Sequence, residues 1–226
     1  MPGRKFLTRH EVAALLQASL ASPHPERNRC LILMAFIHGL RASELLALRL
    51  SDFDLRSRIV QVSRLKNGFS TVHPMTQGEV AALRSWLRVR RKIILRGKHD
   101  DEGWLFISLR GTVLSRQQFY NIISQAGQRA GLHVAAHPHM LRHACGYALA
   151  DNGVDTRLIQ DYLGHRNIRH TVRYTASSAA RFEGIWQPVS RARRQQSDPK
   201  CKPPPVTHNI RTIEIKVTFR SFCFLM

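Results

Sequence analysis

The chain has 226 residues, of which 43% are hydrophobic, and its formal net charge is +20. This length and composition suit a globular protein of one or two domains, and the surplus of arginine favours a polyanionic partner such as nucleic acid. The longest apolar run, Cys30–Ile37, is too short to span a membrane, and Met1–Glu11 lacks the apolar core of a signal peptide. Secreted and membrane-spanning proteins are thereby excluded, and we expect a cytoplasmic protein.

The first part of the chain predicts two helices. Thr8 and Glu11 have the spacing of a capping box, in which each side chain satisfies a backbone N–H at the start of a helix. Residues 26–38 are almost continuously apolar after their first turn, which predicts a buried helix. Gly39 follows directly and is placed to end that helix in a left-handed conformation.

A short polar motif comes next. Arg41 lies at an exposed junction, and Ser43 is predicted to cap the short helix that follows. On local grounds alone, Arg41 is interpreted as a solvated arginine at a turn. Glu44 is expected to orient this local structure rather than to transfer protons.

A β-hairpin is predicted after this helix. Ile59–Val62 and residues 70–73 are rich in β-branched residues, and they flank Asn67–Gly68, a strong signal for a tight turn between antiparallel strands. Lys66 lies at the tip of this hairpin. A lysine at a surface turn is common, so its position alone does not decide between solvation and chemistry.

Two further helices and one strand are predicted before residue 130. Thr76 and Glu79 form a second capping box, residues 104–108 predict a strand, and Ser115 is placed to cap a helix through Arg129. The first of these helices carries a basic stripe: Arg84, Arg88, Arg90, Arg91 and Lys92. The second carries polar residues suited to a DNA groove: Gln117, Gln118, Tyr120 and Asn121. The predicted fold class is mainly α with a small antiparallel β-sheet (α+β).

Chemistry-bearing residues concentrate between residues 139 and 174. His139 and Arg142 form an H-x-x-R pair on one helix face, and His165 ends an L-G-H motif after a helix that Asp155 is placed to cap. Tyr174 follows nine residues later. Arginine suits phosphate oxygens, histidine can move a proton near neutral pH, and a tyrosine hydroxyl can act as a nucleophile.

These motifs together resemble the tyrosine recombinase (phage integrase) family. That family has an H-x-x-R motif, an L-G-H motif and a nucleophilic tyrosine nine residues later. The segment G-L-R-A-S-E-L at residues 39–45 is similar to the first arginine motif of the family. Residues 139–186 look closest to the small fimbrial phase-variation DNA invertases within it.

The resemblance implies six catalytic residues: Arg41, Lys66, His139, Arg142, His165 and Tyr174. In the family scheme the tyrosine attacks a DNA phosphorus, forms a 3′-phosphotyrosyl link and releases a 5′ hydroxyl. The two arginines hold the non-bridging oxygens, the two histidines assist by hydrogen bonding and proton transfer, and the lysine protonates the leaving oxygen.

The resemblance also implies a domain plan and partners. Residues 5–186 are expected to form the catalytic domain without a separate N-terminal clamp domain, and residues 187–226 to form a basic, Pro-containing tail. The expected partners are double-stranded DNA with inverted-repeat sites, three further copies of the chain in a homotetramer, and DNA-bending accessory proteins. Phe182, Ile185 and Trp186 are candidate anchors between subunits. We expect inversion of a promoter segment in fimbrial phase variation, in the bacterial nucleoid.

No cofactor or metal is expected. The chain has no P-loop, its four cysteines show no metal-ligand spacing, and the spacing of Asp151, Asp155 and Asp161 is unlike that of a two-metal site. Two alternatives stay open: a type IB topoisomerase-like enzyme that relaxes DNA, and a non-catalytic DNA-binding regulator with the same fold. The apolar residues after the tyrosine favour subunit contacts over a monomeric topoisomerase, and a covalent protein–DNA adduct would exclude the regulator.

Overall fold

The fold is that of a computed structural model, which describes residues 4–64 and 70–176. Those residues form eight α-helices, a short 3₁₀ helix and a small β-sheet. The α-helices are α1 (Arg9–Leu20), α2 (Pro25–Ile37), α3 (Ala42–Leu46), α4 (Gln77–Gly97), α5 (Arg116–Arg129), α6 (Pro138–Asp151), α7 (Thr156–Leu163) and α8 (Arg169–Ala176). The strands are β1 (Phe53–Asp54), β2 (Ile59–Val62) and β3 (Thr71–Pro74), and the 3₁₀ helix is Leu50–Asp52. The predicted fold class is confirmed.

Local capping signals determine where several helices begin. The side chains of Thr8, Thr76 and Ser115 each accept the backbone N–H three residues later, and the residue at that position returns a bond to the cap. Asp155 accepts the N–H of Arg157 at 2.7 Å at the start of α7. These four predicted caps are confirmed, because each depends on residues close in sequence.

The sheet is antiparallel in the order β1-β2-β3. Val60 in the central strand pairs with Phe53 on one side and His73 on the other. Val60 and Val62 are buried while the intervening residue is exposed, as expected for a sheet with one face on the core. The two strands of the predicted hairpin are confirmed, although β3 starts one residue later than predicted. Its tip, residues 65–69, lies outside the described residues.

The predicted strand at residues 104–108 is wrong. Trp104 forms an isolated bridge with Arg49, whereas Ile107 forms another with Val113. Because the two bridges have partners in different parts of the chain, no ladder continues from one to the other. Leu105, Phe106 and Ile107 are buried in the core without forming a regular strand, and Trp104 is half-buried.

The core is organised around α2, which packs against α1, α4 and α6. Its side chains are buried on nearly all sides, which explains the continuous apolar sequence from Cys30. A second cluster of buried side chains joins α6, α7 and α8: Cys145, Ala150, Ile159, Leu163 and Tyr174. No helix in the described part of the chain is long and apolar enough to cross a membrane.

The packing around Gly39 shows how closely the end of α2 approaches α6 and α7. Gly39 and Gly131 both follow helices with positive φ, +55° and +64°, but a Cβ on Gly39 would overlap Leu163 and lie 3.1 Å from Cys145 Sγ. Across the described residues, a Cβ on Gly131 meets no atom within 4 Å. We expect Gly131→Ala to cost about 1 kcal/mol of unfolding free energy, the left-handed penalty alone.

Gly39→Ala should cost about 1–3 kcal/mol more, since it adds overpacking to the same backbone strain. Urea denaturation of the two variants, followed by far-ultraviolet circular dichroism, measures both costs. Equal losses in the two variants would contradict the close packing around Gly39.

Candidate active site

A buried carboxylate, that of Glu44, holds two arginines at the start of α3. Arg41 is the N-cap of α3; its backbone N–H donates to Glu44 Oε2 at 2.9 Å and its Nη1 donates to Oε1 at 2.6 Å. Arg64 Nη1 donates to Oε2 at 2.9 Å. The predicted cap at Ser43 is wrong. Glu44 accepts the backbone N–H of Arg41, two residues before Ser43, and α3 therefore begins directly after Arg41. Glu44 orients local structure, as expected.

The charges around Glu44 do not balance. Burial raises the pKa of Glu44, but the bond from the Arg41 backbone and the charge of Arg64 more than offset it, so the pKa lies below its usual range. Arg142 Nη1 lies 3.7 Å from Glu44 Oε2. We call Arg41, Arg64 and Arg142 with Glu44 the arginine cluster. Three cations around one carboxylate leave positive charge, and the Arg41 side chain, 37% exposed, presents it to solvent.

Arg142 lies in the interior, at 2% exposure, and joins two of the sequence motifs. Its Nη1 donates to the carbonyl of Gly39 at 2.5 Å, and its Nη2 donates to the carbonyl of Leu163 at 2.6 Å. Burial, with a smaller effect from the charge of Arg41, lowers its pKa to about 10, so it stays charged at neutral pH. The guanidinium therefore fixes the turn before Arg41 against the L-G-H motif.

The L-G-H motif places His165 beside this cluster. Gly164 ends α7 with a φ of +64°, and a Cβ there would lie 2.9 Å from the Arg64 side chain, so only glycine fits. His165 Nδ1 is 2.9 Å from Thr171 Oγ1. Burial and the charge of Arg142 lower the pKa of His165 to about 3, which makes the imidazole neutral at pH 7.

Two histidines lie together on α6. The rings of His139 and His143 meet edge to face, with centroids 4.4 Å apart. Burial followed by the charge of Arg142 lowers the pKa of His139. Burial followed by the charge of His139 lowers the pKa of His143 to about 4. Sequence analysis did not select His143, although its position four residues after His139 places it on the same helix face.

Tyr174 on α8 is packed against α6 and is 1% exposed. Its hydroxyl lies 2.8 Å from His143 Nδ1, and its ring stacks on that of His165 at 6.2 Å. Burial raises the pKa of Tyr174, although the charge of Arg142 works against this rise. The phenol is therefore neutral at pH 7. It belongs to the same cluster of buried side chains as Leu163, whose carbonyl accepts from Arg142 of the arginine cluster.

A buried histidine pair joins the hairpin to the same region. His38 Nδ1 lies 3.2 Å from His73 Nδ1, and His38 Nε2 lies 2.8 Å from Glu79 Oε1. His73 Nε2 in turn lies 2.8 Å from Thr71 Oγ1. Because this contact joins two Nδ1 atoms, one of them must carry a proton and donate the hydrogen bond, and the other must accept it. This contact fixes β3 against the end of α2, one residue before Gly39.

The structure brings five of the six predicted catalytic residues into one region, while Lys66 lies outside the described residues. Arg64 and His143 also belong to this region, as does Gly146, where a Cβ would lie 2.7 Å from the Tyr174 ring. Sequence analysis missed all three. Among residues 4–64 and 70–176, no group of three or more histidine, cysteine or carboxylate side chains is arranged to hold a metal ion.

The predicted DNA-facing helices expose most of their selected residues. On α4, four residues of the predicted stripe are exposed, Arg84, Arg88, Arg91 and Lys92, and so is Arg96 near the end of the helix. Arg90 does not belong to this stripe: it is buried, and donates to the Trp104 carbonyl and to Asp101 at 2.8 Å each. On α5, all four selected residues are exposed, and Gln117 donates to Asn121 at 3.0 Å.

Comparison with known proteins decides the family. The model of the phage integrase family matches residues 5–181. The chain belongs to this family. Type 1 fimbriae regulatory protein FimB of Escherichia coli (strain K12) is 56% identical to this chain over 193 residues, which are 85% of this chain and 93% of FimB. Type 1 fimbriae regulatory protein FimE of the same strain is 55% identical over 187 residues, 83% of this chain and 93% of FimE.

A solved structure supports the same assignment. The crystal structure of XerA recombinase matches with a TM-score of 0.68 and 28% sequence identity, over 82% of this chain and 64% of the XerA chain. The chain therefore spans less than two thirds of the length of XerA. The predicted family, its likeness to the fimbrial members and the predicted enzyme class, a site-specific DNA recombinase, are confirmed by these matches.

Glu44→Gln should lower the unfolding free energy of the protein by about 3 kcal/mol, because it leaves buried arginine charges without their carboxylate. Glu11→Gln is the matched control: Glu11 also accepts the N–H of its N-cap, from Thr8 at 2.8 Å, and pairs with Arg4, but near the surface. The control should lose less than about 1 kcal/mol. Urea denaturation at pH 7 measures both. Similar losses would mean that the arginine cluster is not held by Glu44.

Proposed function

We infer that this protein cuts and rejoins DNA through a 3′-phosphotyrosyl intermediate on Tyr174 and inverts a promoter segment that controls fimbriae. The observation that carries the chemistry is the placement of the Tyr174 phenol beside the arginine cluster, whose excess positive charge suits a phosphate. The similarity to FimB and FimE supplies the biological setting.

In this reaction the Tyr174 hydroxyl gives its proton to His139 or His165, and its oxygen attacks a backbone phosphorus. The bond from phosphorus to the 5′ oxygen breaks, and that oxygen takes a proton from Lys66 and leaves as a hydroxyl. Negative charge grows on the non-bridging oxygens of the phosphate. Arg41 at the surface and Arg142 in the interior below Arg41 both stabilise that charge. The phosphotyrosyl bond retains the energy of the broken bond, so rejoining requires no nucleotide.

The histidines are suited to hydrogen bonding before DNA arrives. His139 and His165 have lowered pKa values in the free protein, so neutral rings face the phosphate site. A bound phosphate adds negative charge, which raises the pKa of a nearby histidine and makes the neutral ring a better proton acceptor. Lys66, whose position lies outside the described residues, remains our proposed acid for the leaving oxygen.

Double-stranded DNA with inverted-repeat sites is the proposed substrate. The exposed arginines of α4 suit the phosphate backbone, and the polar face of α5 suits a groove. We place the catalytic domain at residues 5–186 and a basic tail at residues 187–226, and we propose a homotetramer assisted by DNA-bending proteins in the bacterial nucleoid. The proposed subunit anchors, Phe182, Ile185 and Trp186, lie outside the described residues.

A reporter plasmid tests the function in cells. It carries a promoter between the inverted repeats that flank the gene, and inversion is followed by polymerase chain reaction across each junction. Expression of the wild-type chain should produce both orientations. Relaxation of supercoiled plasmid without inversion would favour the topoisomerase-like enzyme, and site binding without either reaction would favour the non-catalytic regulator.

Tyr174→Phe should abolish strand cleavage while DNA affinity changes by less than about threefold, because it removes one hydroxyl and no basic group. Tyr147→Phe is the matched control, since Tyr147 packs its ring edge on Tyr174 with centroids 5.1 Å apart. The control should keep cleavage. Gel analysis on a nicked site, which traps the covalent adduct, measures both. Adduct formation by Tyr174→Phe would refute the assignment.

Arg41→Lys should lower the cleavage rate about 100-fold, because an ammonium cannot reproduce two parallel donors to a phosphate. Arg84→Lys, a surface change on α4, should cleave at the wild-type rate. Single-turnover kinetics on a nicked site, at saturating protein, separate cleavage from binding. If Arg41→Lys cleaves as fast as the control, Arg41 is a solvated arginine at a turn.

A further inference from the structure

The side chain of Tyr174 occupies a pocket in the surface of α6. A Cβ on Gly146 would lie 2.7 Å from two ring carbons of Tyr174, closer than packed atoms approach. Gly146 lies three residues after His143, on the same helix face. The pocket therefore exists because α6 has no side chain at this position.

The pocket also supplies a hydrogen-bond partner for the tyrosine hydroxyl. His143 Nδ1 lies 2.8 Å from the oxygen, and burial with the neighbouring His139 keeps the imidazole neutral at pH 7. A neutral imidazole that carries its proton on Nε2 can accept a hydrogen bond from the tyrosine hydroxyl at Nδ1. A buried hydroxyl without a partner is costly, so this hydrogen bond favours the docked position of the ring.

A docked tyrosine cannot attack DNA. At 1% exposure, no phosphorus of a macromolecular substrate can approach the Tyr174 oxygen. The ring also stacks on His165, next to Arg142, so a phosphate that reaches the arginine cluster arrives beside the docked ring. Only the undocked tyrosine can contact that phosphate, and a ligand with contacts in one state shifts the equilibrium towards that state.

We propose that His143 and Gly146 form a dock that holds the nucleophile inside the protein until DNA occupies the arginine cluster. The proposal rests on the proposed role of Tyr174 as nucleophile. His143 is in this account a positioning residue: it acts through the tyrosine hydroxyl and does not contact the reacting phosphate. The dock prevents attack on DNA that does not fill the site.

Three variants separate the dock from ordinary packing. His143→Asn keeps a hydrogen-bond acceptor at the position of Nδ1, whereas His143→Leu removes it at similar size. Gly146→Ala leaves His143 in place and fills the space of the ring, and alanine favours the helix more than glycine does. Circular dichroism first establishes that each full-length variant is folded.

Nitration of the free protein by tetranitromethane, mapped by mass spectrometry, measures the exposure of Tyr174. Tyr120, which is 45% exposed, is the internal standard. In the wild type and in His143→Asn, Tyr174 should react much more slowly than Tyr120. In His143→Leu and Gly146→Ala, Tyr174 nitration should rise about tenfold, as expected when a buried hydroxyl loses its partner or its space. Unchanged protection in both of these variants would overturn the dock.

Adduct formation on a nicked site gives the second measurement. His143→Leu should form adduct at least as fast as the wild type, because the ring no longer has to leave its partner. A large loss of adduct in His143→Leu, without increased nitration, would overturn the proposal and assign His143 to the chemical step. Absence of adduct in the wild type would instead refute the proposed function, while nitration would still report the dock.

Discussion

The contact between the buried Glu44 carboxylate and its arginines organises this protein. Glu44 accepts the backbone N–H of Arg41 and bonds from the guanidinium groups of Arg41 and Arg64. Arg64 also donates to the carbonyl of Tyr162, and Arg142 to those of Gly39 and Leu163. The same charges that attract a phosphate therefore hold α2, α3, α6 and α7 together. A positively charged site is stable here because one buried carboxylate lies at its centre.

In this arrangement the arginines of the free protein are placed to bind a phosphate, but Tyr174 is not placed to attack it. Arg41 is fixed by Glu44 before any ligand arrives, which lowers the cost of ordering the site. Tyr174, in contrast, is buried, neutral and bonded to His143. The electrostatic part of the site and its nucleophile are therefore controlled separately. DNA binding can precede cleavage, and cleavage then depends on the release of a single ring.

The sequence predicted what depends on neighbours along the chain. The caps at Thr8 and Asp155 and the left-handed glycine after α2 were all correct, because each motif contains its own partner. The strand at residues 104–108 failed because an apolar segment can be buried without a continuous ladder. Arg64 was missed because its partners lie 20 and 98 residues away, and only the fold brings them together. His143 carried a signal, its spacing from His139, that was not used.

The most direct test of this account is to identify the residue that becomes linked to DNA. Wild-type protein would be incubated with a nicked inverted-repeat site, digested with protease and nuclease, and analysed by mass spectrometry for a peptide that carries a nucleotide 3′-phosphate. We expect that phosphate on Tyr174. A phosphate on Tyr120, Tyr147 or Tyr162, or no phosphopeptide despite inversion of the reporter, would contradict the assignment of the active site.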